Sequence, residues 1–270
     1  MTYASTNPNW PMDLEADITV MPLNVLKALC LTKHTRHILV MDKTGIRFVT
    51  EESTVQQGTI FFSEANFEKF WLSEPTKCII MGIPLATFAS SLHTFGDKGR
   101  FKMQFNKFGE NLLLDVFGEG LRNEFKFKNS KGKPINLMEN TEWDTVARIV
   151  MSGPTLSSIV KSLSFHDAPI AFTVNPDVMY ISSRSVRGEK TVTIPGDSPD
   201  TLPLFECMEP FNFEYDPNML LALVPSFKIG KYVKIKFYAN GMLETCASSD
   251  IKDSSASIIK ICTAARACDE

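Results

Sequence analysis

The sequence predicts an α+β protein in which one unit, made of two short helices and an antiparallel sheet, occurs twice. Three observations lead to this fold class. Four segments carry apolar residues at helical spacing, many short runs have the composition of strands, and similar stretches recur in the two halves at a nearly constant difference in numbering.

Each of the four helical segments begins with a proline, a residue that fits the first turn of a helix. These prolines are Pro22, Pro84, Pro154 and Pro217. In the last three segments, PLATFASSLHTF, PTLSSIVKSLSF and PNMLLALVPSF, apolar residues recur at i, i+3, i+4 and i+7, which defines one face of a helix. We expect this face to cover a sheet, and Pro225 to end or kink the fourth helix.

Short apolar or alternating runs between the helices predict strands. They are HILVM, IRFVT, GTIFF, KCIIM, FKMQF, NLLLDVF and EFKFK in the first half, and ARIVM, IAFTV, VMYIS, KTVTI, FNFEY, VKIKF, LETCA and SIIKI in the second. Asn240-Gly241 between two such runs is a strong hairpin signal. Turns are also predicted at residues 42–45, 118–120 and 175–177.

The duplication is visible in paired stretches. FKIGKYVKIKF ends at Phe237 and FGDKGRFKMQF at Phe105, a difference of 237 − 105 = 132. Lys27-x-Leu29 matches Lys161-x-Leu163 at a difference of 161 − 27 = 134. DKTGIRF also matches NPDVMY with one residue deleted. Chance similarity between two α+β domains is the alternative explanation.

The duplication divides the chain into five parts. We expect domains at 17–128 and 145–264, a polar connector at 129–144, and tails at 1–16 and 265–270 whose composition predicts no fold.

Composition restricts the class of protein. The 270 residues carry a net charge of −3, so DNA contact, if any, must use a local face. The first residues predict no secretion signal, and no run has the length of a membrane span. The six cysteines are scattered without a C-x-x-C pair, which indicates free thiols inside a cell.

Three stretches resemble a known family. LKALCLTKHTRHILVMDKTGIRFVTEE (26–52), ANFEKFWL (65–72) and SLHTFG (91–96) are similar to the Rad-one subunits of the nine-one-one DNA-damage checkpoint clamp. They are less similar to the homotrimeric replicative clamp, proliferating-cell nuclear antigen. The resemblance covers residues 17–264 and is strongest in the first half.

The resemblance implies duplicated sliding-clamp (DNA clamp) domains, with antiparallel sheets outside and two helices per domain lining a ring. The ring would contain this chain and two other clamp-like subunits in a heterotrimer around double-stranded DNA. An ATP-dependent clamp loader would place it there, in the nucleus, and it would recruit checkpoint and repair proteins. Such a subunit is not an enzyme and needs no cofactor, metal or membrane.

The resemblance also implies where DNA lies, on the helix side of the ring. The basic residues expected there are on the first helix of each unit or in the loop after the second helix: Lys27, Lys98, Arg100, Lys161, Lys228 and Lys231. Ordinary solvated surface lysines are the alternative. None of them would read a base sequence, because a lysine at a phosphate acts as a point charge.

Ring closure in this family pairs edge strands of neighbouring subunits, so two strands are interface candidates. One is 111–117, with Leu112, Leu113, Leu114 and Val116; the other is 190–195, with Thr191, Val192, Thr193 and Ile194. An interior position is the alternative for each strand. Apolar connector residues could line a pocket for a client peptide: Ile135, Leu137 and Met138.

Two other functions stay open. One is a divergent homotrimeric replicative clamp, which serves as a polymerase processivity factor. The other is a metal-dependent DNA exonuclease, for which Asp42, Asp115 and Glu119 are the available carboxylates. His34-x-x-His37 is a weaker metal candidate, because no further ligand stands at a fitting spacing.

Overall fold

The computed structural model describes residues 12–18, 23–31, 35–53, 55–74, 78–106, 111–130, 138, 143–164, 168–248 and 257–266.

Two series of strands and helices follow each other in the same order. The first contains β1 (Met12–Ile18), α1 (Leu23–Ala28), β2 (Arg36–Asp42), β3 (Gly45–Glu52), β4 (Gln56–Ser63), β5 (Lys69–Leu72), β6 (Ile79–Gly82), α2 (Leu85–Leu92), β7 (Arg100–Asn106), β8 (Asn111–Gly118) and β9 (Leu121–Lys128). The second contains β10 (Thr145–Ser152), α3 (Gly153–Leu163), β11 (Ile170–Asn175), β12 (Val178–Ser185), β13 (Gly188–Pro195), β14 (Leu204–Cys207), β15 (Phe211–Tyr215), α4 (Pro217–Phe227), β16 (Tyr232–Tyr238), β17 (Leu243–Ser248) and β18 (Ser257–Thr263). Short 3-10 helices lie at Glu64–Asn66 and His93–Lys98.

The strand order of the sheets repeats as well. The order β5-β1-β7-β8-β9 in a five-stranded sheet recurs as β14-β10-β16-β17-β18 in a nine-stranded sheet. The order β4-β3-β2-β6 in that nine-stranded sheet recurs as the four-stranded sheet β13-β12-β11-β15. Each strand of the second series thus takes the place of its counterpart in the first, and the predicted duplication is confirmed.

The described residues form two compact units. Unit 1 lies within Met1–Lys27, His37–Val49 and Phe61–Ile135, and unit 2 within Ala28–Arg36, Thr50–Ile60 and Asn136–Glu270. The five-stranded sheet belongs to unit 1 and the four-stranded sheet to unit 2. The domain boundaries drawn from the sequence stay predictions.

The four predicted helices are present, and the described residues of their apolar stripes are buried except Ile159, which is half-buried. In α4, Leu220, Leu223, Val224 and Phe227 are all buried. The Asp216 side chain caps this helix by accepting a hydrogen bond of 2.7 Å from the Asn218 N–H. Pro225 lies inside the helix, two residues before its end at Phe227. No helix in the described part of the chain has the length and apolar character required to cross a membrane.

The predicted turns also join strands as expected. Glu119 and Gly120 connect β8 to β9 with positive φ values of 52° and 80°. Two consecutive positive φ values are typical of the tight turn that matches the twist of a hairpin. Gly241 likewise has a φ of 80° in the turn between β16 and β17.

Three strands were not predicted, namely β1, β5 and β14. β1 begins at Met12, so the expectation that residues 1–16 have no fold is wrong for residues 12–16. They lie between β5 and β7, inside the five-stranded sheet. The acidic residues of MDLEADI concealed this strand from the sequence pattern. For Glu15, an ion-pair network is the physical reason for its place in a sheet. The buried carboxylate of Glu15 lies 3.0 Å from the Lys69 Nζ and 2.5 Å from the Lys102 Nζ.

Candidate subunit interface and basic surface

β13 is an edge strand of the four-stranded sheet, as predicted. Within the described residues it is paired on one side only, to β12, with Thr191 opposite Ser182 and Ile194 opposite Met179. Thr191 and Thr193 are exposed, Val192 is half-buried and Ile194 is buried. Its other side presents backbone N–H and C=O groups that a further strand can pair.

The expectation that residues 111–117 form an edge strand is wrong. They belong to β8, which pairs with β7 on one side and β9 on the other. The predicted interface residues on this strand serve the core instead: Leu112, Leu114 and Val116 are buried, and Leu113 is half-buried. An apolar alternating run is equally typical of an interior strand and of an edge strand. The pattern of residues 111–117 therefore could not show which of the two this strand is.

β9 is the edge strand of this sheet. Its even-numbered residues Arg122, Glu124, Lys126 and Lys128 are exposed, and charged side chains are a common feature of edge strands. On its other face Phe127 is buried and Phe125 is half-buried. The charged run in EFKFK was the signal in the sequence that could have identified this edge.

Among these four charged residues of β9, Arg122 binds a buried carboxylate in the described part of the chain. Its guanidinium donates to both oxygens of Asp115, with Nη2 at 2.9 Å from Oδ1 and 3.0 Å from Oδ2. Asp115 is only 6% exposed. A two-pronged arginine–carboxylate contact of this kind fixes the two strands of the hairpin in register.

The counterparts of β9 and β13 in the other repeat are β18 and β4. They are not edge strands, because they pair with each other inside unit 2. β18 pairs with β4, and the register places Ile261 opposite Gly58 and Thr263 opposite Gln56. The Gln56 Nε2 donates to the Thr263 Oγ1 at 2.9 Å. We call this pairing the internal junction.

The internal junction is closely packed. Ile261 is fully buried, and a Cβ added to Gly58 would lie 2.7 Å from the Leu29 Cδ2 and 3.5 Å from the Ile261 Cγ1. Glycine at this place permits the close approach of Leu29, because a Cβ would force the leucine side chain to shift.

Lys161 and Lys228 form a basic pair. Lys161 lies in the last turn of α3, Lys228 follows α4, and the two helices pack against each other. The charge of the neighbouring Lys228 lowers the pKa of the exposed Lys161. Two ammonium groups held this close make a local positive potential that favours an anion such as phosphate.

The other basic candidates are more scattered. Lys27 is exposed in the last turn of α1, the place that Lys161 has in α3. Lys231 lies in the loop before β16, as predicted, with its Nζ 5.0 Å from the centre of the Tyr232 ring.

Arg100 was expected in a loop, and this is wrong. It is the first residue of β7, and its Nη2 lies 3.1 Å from the Glu68 Oε1. That carboxylate neutralises part of the charge that a phosphate would meet. Lys98 is the last residue of a 3-10 helix, but its side chain lies outside the described residues.

The predicted peptide pocket can be followed at one residue only. Ile135 and Leu137 lie outside the described residues. The Met138 N–H donates to the Gln57 Oε1 at 2.7 Å, and its carbonyl accepts from the Cys262 Sγ at 3.7 Å. Met138 is thereby attached to the internal junction through its backbone.

The carboxylates considered for a nuclease have other tasks. Asp115 is bound by Arg122, Asp42 accepts a 2.7 Å hydrogen bond from the Thr44 N–H in a turn, and Glu119 forms the β8–β9 turn. Among the described residues, His, Cys, Asp and Glu side chains form no group of three that could hold a metal ion. His34 lies outside the described residues.

Two repeated sheets with this strand order define the sliding-clamp fold. The structure is similar to the crystal structure of proliferating cellular nuclear antigen from Entamoeba histolytica, with a TM-score of 0.78 at 16% sequence identity. The similarity covers 95% of this chain and all of that one. A comparison with curated proteins gives no match.

The sequence itself gives the family. The family described as Repair protein Rad1/Rec1/Rad17 matches residues 19–247, and the chain belongs to this family. The predicted fold class and the resemblance to Rad-one subunits are both confirmed. The chain is therefore a DNA-repair protein with the fold of a sliding clamp.

Proposed function

We propose that this chain is a non-catalytic subunit of a heterotrimeric checkpoint clamp that encircles double-stranded DNA at damage sites in the nucleus. Two other clamp-like chains complete the ring, and an ATP-dependent loader opens and closes it around DNA. The closed ring then recruits checkpoint and repair proteins.

The observation that carries this proposal is the pair of open edges, β9 and β13. Their counterparts β18 and β4 are paired in the internal junction. A chain whose two repeats are joined by one such junction, and whose ends leave the same two edges open, can add further repeats head to tail. A ring is the closed form of such an assembly.

The open edges also leave apolar surface uncovered. Phe125 on β9 and Val192 on β13 are half-buried, whereas Ile261 in the internal junction is fully buried. Pairing with a neighbouring strand would cover these side chains and satisfy the backbone groups of the edge.

DNA contact is assigned to Lys27, Lys161, Lys228 and Lys231, which are exposed on or next to helices. Because a closed ring is held on DNA by topology, a few weak phosphate contacts are sufficient. A net charge of −3 agrees with such a weak grip.

Co-purification tests this proposal. The chain is expressed together with two other clamp-like chains of the same organism, and the mass of the purified assembly is measured. We expect one copy of each of the three chains. Isolation of this chain without either partner would contradict the proposal, and DNA degradation lost in Asp42→Ala or Asp115→Ala would favour the exonuclease instead.

A further inference from the structure

We propose that the end of the β12–β13 hairpin, residues 184–189, binds a single strand of DNA next to the duplex that the ring encircles. This inference rests on the proposed function, which assigns DNA contact to residues on or next to the helices. We call residues 184–189 the hairpin tip. Its shape, its charge and its apolar apex each point to this ligand.

The hairpin tip projects beyond the sheet that carries it. β11 pairs with β12 as far as Ile170, which lies opposite Ser183. The hairpin continues beyond this point for two more pairs of residues and a turn. In the described part of the chain no third strand lies beside them, so the hairpin tip is open to a ligand.

The turn of the hairpin tip is held in place by a side chain. The Ser185 Oγ accepts a hydrogen bond of 3.1 Å from the Arg187 N–H and donates one of 3.4 Å to the Gly188 carbonyl. A turn supported in this way presents its outward side chains at fixed places, which lowers the entropic cost of binding a ligand.

The apex of the turn is apolar. Val186 is fully exposed, and no other large apolar side chain among the described residues is as exposed. Arg184 and Arg187 flank it, and both are exposed. An unpaired base offers an apolar face to the valine, and the phosphates beside it fit the guanidinium groups. In a duplex this face is covered by stacking, so the arrangement favours a single strand.

Most of the arginine charge is available to a ligand. The Arg184 Nε lies 3.8 Å from the Glu189 Oε2, and both side chains are more than half exposed, so this ion pair is weak. Arg187 forms no ion pair with a described carboxylate. Two arginines and one glutamate give the hairpin tip a net charge of 2 − 1 = +1, in a chain whose net charge is −3.

The base of the hairpin is attached to the surface assigned to DNA. The Lys190 Nζ donates to the Ser162 carbonyl in the last turn of α3 at 2.9 Å. Ser162 directly follows Lys161, the neighbour of Lys228. From Lys190 to Arg187 the strand advances by about 10 Å. The basic residues therefore form one path from α3 to the hairpin tip, along which a strand that leaves the duplex is attracted.

Ring closure leaves the hairpin tip accessible. The Glu64 N–H and the Gly196 N–H close the same turn in the two repeats, so β13 corresponds to β4 with a difference of 196 − 64 = 132. Arg187 is therefore the counterpart of Val55. In the internal junction Val55 accepts a hydrogen bond from the Ala264 N–H and is still 38% exposed. A partner strand on β13 should leave Arg187 similarly exposed.

Fluorescence anisotropy with a labelled oligothymidylate of about 16 nucleotides tests the inference. We expect Val186→Ser to weaken binding of this single strand about three-fold or more, and to leave binding of a duplex of the same length unchanged. The dependence on salt should stay as in the wild type, because Val186 contacts a base and not a phosphate. Arg184→Gln/Arg187→Gln should instead lower the slope of log K against log salt by about 1.4, which corresponds to two phosphate contacts.

Leu121→Ser and Arg148→Gln are the matched controls. Leu121 is 63% exposed next to the β8–β9 turn, and Arg148 is an exposed arginine on β10. Neither substitution should change binding of the single strand. Because all the substituted side chains are exposed, each variant should unfold at the temperature of the wild type, which a thermal scan checks.

The outcomes separate this inference from the ring proposal. Binding of the single strand that Val186→Ser leaves unchanged would overturn the inference, and so would a wild-type chain that does not bind oligothymidylate. Loss of binding in the arginine variant alone would show that the hairpin tip attracts phosphate without contacting a base, and would overturn the assignment to a single strand. Failure to assemble with other clamp chains would instead contradict the proposed function.

Discussion

Glu244 on β17 is a buried carboxylate that basic and hydroxyl groups surround. It is 6% exposed, and its oxygens lie 2.9 Å from the Lys260 Nζ, 3.4 Å from the Lys236 Nζ and 3.1 Å from the Tyr238 hydroxyl, which donates to it. Burial opposes ionisation of Glu244, but the hydrogen bond and charge of Lys260 outweigh it and lower its pKa. The ionised form therefore contributes to stability.

Replacement of this carboxylate should destabilise the fold. We expect Glu244→Gln to lower the free energy of unfolding by about 2–3 kcal/mol at neutral pH, because the lysines lose a buried counter-charge. Urea unfolding measures the change. The control is Glu206→Gln, whose carboxylate is half-exposed and 4.0 Å from Arg148. It should cost less than about 0.5 kcal/mol.

The pH dependence has a definite sign. A lowered pKa in the folded state gives a contribution that is complete above the ordinary glutamate value of 4.5 and lost as the pH falls through the lowered pKa. The difference between wild type and Glu244→Gln should therefore be constant near neutral pH and shrink below that value. A difference that grows on acidification would contradict this assignment.

At the scale of elements, sequence patterns identified strands but not their neighbours. NLLLDVF was recognised as a strand, yet its interior place between β7 and β9 depends on pairing with residues outside it. The adjacent EFKFK, with lysines on the outward face, carried the charged pattern of an edge. The helix stripes were predictable, because the periodicity of a buried helix face is local.

The missed strands depend on distant residues in the same way. β1 holds Glu15 in the middle of a sheet because Lys69 and Lys102 neutralise this carboxylate. β5 and β14 have four residues each, too few for a periodicity to be visible. For the candidate site, the lysines in helix and loop positions could be predicted, but the register of the internal junction could not.

The two edges permit a test by proline substitution. Hydrogen-bonded pairs alternate along an antiparallel ladder. Because Ala264 donates to Val55, Cys262 is the next residue of β18 that directs its N–H toward β4. Phe127 pairs with Leu112 as Thr263 pairs with the equivalent Leu243, so the counterpart of Cys262 on β9 is Lys126. The Lys126 N–H should therefore point out of the sheet. Proline there removes no hydrogen bond within the chain but blocks a partner strand.

We expect Lys126→Pro to lose one partner chain and keep the other. Glu64 and Gly196 close the same turn in the two repeats, so Thr191 is the counterpart of Thr59, which pairs with Lys260 in the internal junction. The same alternation therefore directs the Thr191 N–H outward, and Thr191→Pro should lose the partner that Lys126→Pro keeps. Pull-down with each partner separately measures this. Lys126→Ala and Thr191→Ala are the controls and should keep both partners. Retention of both partners by both proline variants would exclude these edges as the interface.

At the scale of the whole molecule, the proposed ring would retain DNA by encircling it rather than by binding it tightly. The lysines assigned to DNA contact are few, and Arg100 already has a carboxylate partner. Retention on DNA is therefore assigned to closure of the ring through β9 and β13, and the lysines are assigned an orienting role at the phosphates.

If ring closure and not charge retains the complex on DNA, raising the salt concentration and cutting the DNA should have different effects on retention. A complex loaded on closed circular DNA should stay bound in high salt and be released when the circle is cut, because a ring can leave only over an end. A complex carrying Lys161→Gln/Lys228→Gln should be retained as the wild type is, whereas Lys126→Pro should give no complex that is retained on the circle. Gel filtration of the DNA-bound fraction measures retention. Release of the wild-type complex from uncut circles by salt alone would show that charge, not closure, holds it.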